Sequence, residues 1–365
     1  MLSKLKKIFE ASGQKPASIP VGDDTILMNA YSTKLVVPEP KFPHIMNARR
    51  NHSDPELKSH LDGLIGFILR SGSGEMTRTR YHLMRHVQRA QQHLSLSVSP
   101  QGLDEYYAWA ASANAITFTA DGSLRDTHGR VLLDASGTHQ DSEAEIAYPA
   151  EAWKRKEKTD ALLSEMGIVV PTHLPPLISE PELQLRSGEE IAQRALALFA
   201  VAVRAETLNS NQPMSADEIQ ARLPHAFEHL TADERSFLLD DSPSPQAIAK
   251  FGWRYECVLV LEWALGLTQK LPYPSAICDV PMVAGLMLQN FSSGNFKKVK
   301  VRRSAEILDA LDLHYRFHWA VREAQVKKVD APKNLMPGVV SERHYALNWL
   351  VRFEDADWDR VDTPT

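Results

Sequence analysis

The sequence predicts an α+β fold: a small N-terminal domain mixing short strands with helices, then a larger domain that is helical throughout. Three observations predict it. Before residue 134, short apolar runs alternate with turn signals, whereas after residue 149 apolar residues recur at helical spacing almost everywhere. The 365 residues exceed what one core usually serves, so two domains are expected. The run at 251–267, FGWRYECVLVLEWALGL, is apolar on every side and belongs at the centre of the second domain. The expected boundaries are 1–133 for the α+β domain, 134–149 for a polar, acidic linker, and 150–365 for the all-α domain.

Residues 25–28 and 34–37 are apolar runs bounded by Gly22-Asp23 and Pro38, which suits strands. A proline-rich loop follows at 38–43. Asp54-Pro55 opens a helix through Leu57, Leu61, Leu64, Ile65 and Ile68, with Asp54 as N-cap, and the SGSG loop at 71–74 ends it. The spacing predicts a second helix over about 77–93. Residues 94–98 alternate like a strand, 103–113 read as a helix and 115–119 as another strand. Turn signals at Asp121-Gly122 and His128-Gly129 flank short extended pieces ending at 131–133. In the second domain, helices are expected at about 151–166, 188–207, 215–222, 231–240, 246–268, 280–290, 303–324 and 340–352. Ser187 and Ser304 are expected as N-caps, and Ser187 has capping-box spacing to Glu190.

Composition removes several function classes. Through residue 150 there are 16 basic and 16 acidic residues, and the whole chain carries a net charge of -5, so a non-specific nucleic-acid binder is not expected. No apolar run reaches the ~18 residues of a membrane span. The start, MLSKLKKIFEAS, lacks the continuous apolar region of a secretory signal. Its Leu2, Leu5, Ile8 and Phe9 suit a short amphipathic helix docked on the protein body. Two cysteines, Cys257 and Cys278, argue for free thiols in a reducing, cytoplasmic compartment.

The buried run carries Arg254, Glu256 and Glu262. An unpaired buried ion costs on the order of several kcal/mol. Together with Arg186, Arg194 and Arg343 these residues are expected to form an ion-pair network that fixes helix packing. Guanidinium groups outnumber the acids, so both glutamates should stay ionised and leave no proton donor for catalysis. His314 and His318 stand at i, i+4, the spacing that lets two imidazoles share one metal, with Glu262, Glu342 and His344 as third-ligand candidates. Core histidines hydrogen-bonded to their surroundings are the preferred reading, so no metal or other cofactor is expected. On helix 77–93, His82, His86, Arg89 and His93 project within about 60° of one another, flanked by Arg78 and Arg85. This stripe is expected on an exposed face, either plainly solvated or a docking surface for an acidic partner or a phosphate backbone. No nucleophile elbow, dinucleotide fingerprint or zinc spacing occurs.

Several ordered motifs fall in the second domain: Arg186-Ser187 with Glu190-Ile191, Phe251-x-Trp253-Arg254-Tyr255-Glu256, Trp263-Ala264-Leu265-Gly266, Asp312-Leu313-x-Tyr315-Arg316-x-His318-Trp319-Ala320, Glu342-Arg343-His344-Tyr345, Asn348-Trp349-Leu350 and Trp358-Asp359. From about Trp153 to the end the chain resembles an uncharacterised bacterial family, domain of unknown function 4272. The family tends to close on Thr-Asp-Thr, where this chain has Thr363-Pro364-Thr365. Residues 1–150 resemble no recognised family. The resemblance carries no activity. By analogy it implies a neighbour of toxins from interbacterial systems such as type VI secretion, with an immunity role. The expected function is therefore non-enzymatic: a cytoplasmic protein that binds a protein partner, a cognate toxin, through the N-terminal domain or the cleft between domains. The alternatives are a metal-assisted hydrolase using His314, His318 and a buried glutamate, and nucleic-acid or anion binding by the His/Arg face of helix 77–93.

Overall fold

Strand β1 (Ile26–Ser32) turns Met28 and Ala30 to one side and Tyr31 to the other, and the first unit is built on that alternation. The structure is a computed structural model that describes residues 24–296 and 299–365. The expected helix of Leu2, Leu5, Ile8 and Phe9 lies outside the described residues. β1 pairs antiparallel with β3 (Gln92–Val98) and β4 (Ala115–Thr119), and Met28 stands opposite both Leu96 and Thr119. With β2 (His44–Asn51), β5 (Leu124–Arg125) and β6 (Val131–Leu133) the sheet order is β2-β3-β1-β4-β5-β6. Helix α1 (Pro55–Arg70) starts as expected, with the Asp54 carboxylate accepting the Glu56 N–H. Helices α1 and α2 (Arg78–Gln88) cover the Tyr31 face through Leu64, Ile68, Leu83 and Val87. Helix α3 (Leu103–Ala113) covers the other face, where Tyr106, Trp109 and Ala110 meet Leu94, Leu96 and Val98.

The structure differs from expectation at four places in this unit. Residues 34–37 form no strand, and Val36 is 81% exposed. Strand β2 was not expected, because two of its inward residues, His44 and Arg50, are polar and break the apolar alternation. Helix α2 stops at Gln88, so His93 belongs to β3. The segment read as a linker, 134–149, is built into the unit. Its acids serve turns: Asp134 accepts the N–H groups of Thr138 and His139, and Asp141 that of Val131. Ala144 and Ile146 pack on the α1–α2 core. Ile178–Leu183 also belongs to this unit, with the Leu35 N–H donating to the Pro181 carbonyl.

The second unit comprises Lys154–Leu177 and Gln184–Thr365 and is helical wherever it has regular structure among the described residues. Helix α4 (Ala150–Glu165) leads into it, followed by α5 (Gly188–Asn209), α6 (Ala216–Arg222), α7 (Ala232–Leu239), α8 (Pro245–Gly252) and α9 (Arg254–Ala264). Then come α10 (Val280–Phe291), α11 (Ser304–Lys327) and α12 (Pro337–Leu350). Every residue of α9 is buried, as its all-round apolar pattern requires. It packs on α5, whose Ala195, Ala197, Ala200 and Ala202 keep that helix thin, and on α10 and α12. The helix expected over 246–268 is instead two. It breaks after Gly252, the residue type with the weakest helix preference apart from proline. The Ser187–Glu190 capping box forms with both of its hydrogen bonds, and Ser215–Glu218 and Thr231–Glu234 repeat it. At α11 the cap position falls on Arg303, so Ser304 is a helical residue and caps nothing.

Gly188 sits where a Cβ would stand 2.2 Å from the Val299 carbonyl oxygen. Gly188→Ala must push backbone against backbone, and a loss of about 1–3 kcal/mol is expected in urea denaturation. An unchanged midpoint would mean that the 299 segment moves away freely.

Candidate functional site

Helix α9 brings charge into the core, and α12 answers it. Glu256 receives the Arg343 guanidinium at 2.8 Å, and its second oxygen accepts the Cys278 N–H at 2.5 Å. Arg254 meets Glu342 at 2.8 Å, and the Cys257 thiol donates to the same carboxylate at 3.1 Å. Two further arginines of the expected network pair elsewhere. Arg194 bonds to Glu234 of α7, and Arg186 donates to the carbonyls of Trp349 and Ala356 at 3.1 and 2.8 Å. The expected single network is thus a set of separate pairs. A comparable group lies on α11 and was not anticipated as part of it. Arg316, fully buried, holds Asp312 at 3.2 and 3.0 Å and reaches Asp160 of α4 at 3.2 Å. The i, i+4 spacing of Asp312 and Arg316 was the available signal.

Glu262 joins no pair. It is 0% exposed, and neither carboxyl oxygen has a hydrogen-bond partner among the described residues. Burial alone pushes its carboxyl up to about 9, so it is a neutral acid at physiological pH. This corrects the expectation that arginines keep it ionised: Arg343, Arg254 and Arg194 are committed to Glu256, Glu342 and Glu234, and Arg186 to Glu190 and two carbonyls.

The imidazoles of α11 diverge. His314 Nδ1 bonds to the Ala310 carbonyl of its own helix at 2.8 Å, while His318 Nδ1 meets His344 Nδ1 of α12 at 2.9 Å, one ring donating and the other accepting. Burial holds His314 and His318 down to about 4 and His344 well below its ordinary value, the last also through the two neighbouring rings. Among the described residues no three His, Cys, Asp or Glu side chains converge on a metal position. The His314–His318 pairing that a shared metal needs is replaced by the His318–His344 contact.

The His/Arg stripe does not form one exposed face either. Arg78 is exposed, but His86 is fully buried with Nε2 on the Tyr31 carbonyl at 3.0 Å. His93 lies inside the sheet layer, bonded to Asn29 and Arg50 and stacked on Tyr31 with centroids 4.7 Å apart. Half-buried His82 bonds to the Tyr148 hydroxyl at 3.0 Å, and Arg85 to Gln88 at 2.9 Å. Arg89 pairs with Glu182 at 3.3 Å and lies 4.8 Å over the Tyr148 ring. These side chains hold the first unit together.

A cleft of about 380 Å³ opens in the second unit, assembled from four stretches of chain. Arg186 lies just ahead of the α5 cap and Arg194 in the second turn of α5, Thr231 is the cap of α7, and Trp349 comes from the end of α12. The C-terminal segment adds Asp357, Trp358 and Asp359. Each arginine lies over an indole, Arg186 at 4.4 Å from the Trp349 ring and Arg194 at 5.4 Å from that of Trp358. Trp358 also meets Tyr345 and Trp349 edge-on, with centroids at 5.0 and 5.4 Å. The sequence places both arginines in the expected ion-pair network. Nothing in the spacing announces that these residues meet.

A sequence profile matches residues 155–361, more than half of the chain and all of the cleft. This chain belongs to the family described as Domain of unknown function (DUF4272). Neither the curated proteins nor the solved structures provide a match.

Two outcomes follow for the DUF4272 domain. Between pH values of roughly 4.5 and 9 the folded protein holds a proton on Glu262 that the unfolded chain has released. The stability this residue contributes is therefore complete below about 4.5, falls by about 1.4 kcal/mol per pH unit, and is gone above about 9. Glu262→Gln should abolish that slope and stabilise the protein by about 3 kcal/mol near neutral pH. Equal stability of variant and parent in neutral urea titrations would show that the carboxyl is ionised. Arg343→Met, which strands the Glu256 charge, should cost about 3–5 kcal/mol, and adding Glu256→Leu should recover much of it. Additive losses in that double-mutant cycle would mean that the pair is not coupled.

Proposed function

We propose that the chain is a non-enzymatic protein-binding protein of the cytoplasm, and that its partner is a secreted toxin which it neutralises as an immunity protein. The observation that carries the binding reading is the outward face of α10. This helix, VPMVAGLMLQNF, contains no ionisable residue. Its inner face buries Val283, Met287 and Phe291, yet Met282 and Leu288 remain 42% and 47% exposed, with Ile277 just ahead at 60%. Between Met282 and Leu288 stands Gly285, and a Cβ there would meet nothing within 4 Å. An apolar face of this kind at the surface suits a partner helix or groove. The closed interior supports binding over catalysis: its charges are paired, and its unpaired acid is sealed and neutral.

Co-expression with the product of the neighbouring gene tests the immunity reading. The partner is expected to be toxic alone and harmless with this chain, and a partner that kills equally in both cases removes the reading. Met282→Asp with Leu288→Asp should leave the fold intact, weaken capture by about 30-fold or more, and abolish protection. Full protection by that variant would move the contact away from α10.

A further inference from the structure

The C-terminal segment 356–362 is held by the helices of the second unit much as a bound peptide is held by its receptor. Three side chains donate to its backbone: Arg186 to the Ala356 carbonyl at 2.8 Å, the Tyr345 hydroxyl to that of Trp358, and Asn348 to that of Asp362 at 2.8 Å. Trp358 is the anchor, buried between the edge-on rings of Tyr345 and Trp349 and the guanidinium groups of Arg194 and Arg254, 5.4 and 5.7 Å from its own ring. Among the described residues no backbone–backbone hydrogen bond ties 356–365 to the helices: the Ala356 N–H turns back on the Phe353 carbonyl and the Arg360 N–H on that of Asp357.

The seating is imperfect in three ways. Trp358 Nε1 is buried without an acceptor among the described residues, so the indole gives up a hydrogen bond to water when it docks. The chain reaches the seat through Arg352, Glu354 and Asp355 at φ of 51°, 54° and 49°, the left-handed region that residues with a side chain avoid. The cleft of about 380 Å³ is lined by residues 357–359 of the segment together with Arg186, Arg194 and Trp349, so part of the seat stays unfilled. Glycines in the connection and an acceptor for the indole would remove the first two defects. As it stands, docking works against both, and release is correspondingly easier.

We infer that this groove is a peptide-binding site, closed in the free chain by its own C-terminal segment, and that a protein partner enters it with a segment of the same chemistry, a tryptophan between aspartates. The chain's own segment supplies the template: Asp357-Trp358-Asp359 stands within residues 354–362, which carry five carboxylates and one guanidinium. An incoming segment is not tied to the left-handed connection and takes the seat without its strain. The groove shares no residue with the outward face of α10 and stands whether or not that face binds a protein.

A labelled peptide with the sequence of residues 354–362 (EDADWDRVD) tests this by fluorescence anisotropy on the full chain. Trp358→Ala empties the seat, and the variant should bind the peptide about tenfold or more tighter than the parent, whose own segment competes. The parent should still bind saturably, which separates a releasable segment from a fixed tail. The same peptide carrying Trp358→Ala should bind neither protein. Trp358→Leu keeps an apolar plug in case the alanine variant fails to fold, and its affinity should also exceed that of the parent. The proposal is overturned if the folded variants bind no peptide, if they bind it no better than the parent, if the parent binds none at millimolar peptide, or if the alanine peptide binds as well. Sedimentation of the parent at rising concentration should show a monomer. A dimer that the Trp358 variants dissolve would give the groove to the tail of a second copy and overturn the partner reading.

Discussion

Helix α9 has no solvent side, and every charge it carries must be cancelled inside the protein. It solves the problem with two ion pairs of opposite sense on the same neighbour. Arg254 meets Glu342, and Glu256 meets Arg343, so a positive and a negative residue on α9 face a negative and a positive residue on α12. Shifting either helix along the other would bring like charges together in a medium of low dielectric. The pairs therefore specify alignment, a role that apolar contacts between smooth aliphatic surfaces perform poorly. The third charge-bearing position, Glu262, meets no arginine and is neutralised by its own proton.

The histidines follow the same economy of charge. His314, His318 and His344 are all held neutral by burial, and the contact between His318 and His344 works because an uncharged imidazole presents one donor and one acceptor. Were both rings protonated, two donors would face each other. In the first unit His93 behaves likewise: its Nδ1 faces an arginine N–H, so Nε2 carries the proton that goes to Asn29. At these four positions histidine serves as a compact polar connector.

Local chemistry was legible in the sequence, and tertiary chemistry was not. Asp54-Pro55 announces α1 because a cap and a fixed φ act within two residues. The burial of α9, with its charges, follows from an apolar pattern that leaves no polar side. Strand β2 escaped because Arg50 is inward yet satisfied by Glu56 and His93, partners that no periodicity names. His93 was assigned to the preceding helix because its spacing to His82, His86 and Arg89 suits a helix, although the chain turns at Arg89 before entering β3. The acids of 134–149 look like solvated linker residues, and two of them, Asp134 and Asp141, are in fact turn acceptors. Presence of the core charges was readable, but their pairing depended on Glu342 and Glu234, far along the chain. The cleft was invisible for the same reason, being made of residues from four stretches whose only link is the folded backbone.

Two of the capping glutamates do double duty. Glu190 accepts the Ser187 N–H and the Arg352 guanidinium, and Glu234 accepts the Thr231 N–H and that of Arg194. Ordinarily the first turn of a helix frays on its own, at little free-energy cost. At α5 and α7 the same carboxylate clamps the turn to a distant part of the chain, so loosening the end also breaks a long-range contact. Fraying at these two helix starts is therefore tied to the hold on Arg352 at one and on Arg194 at the other.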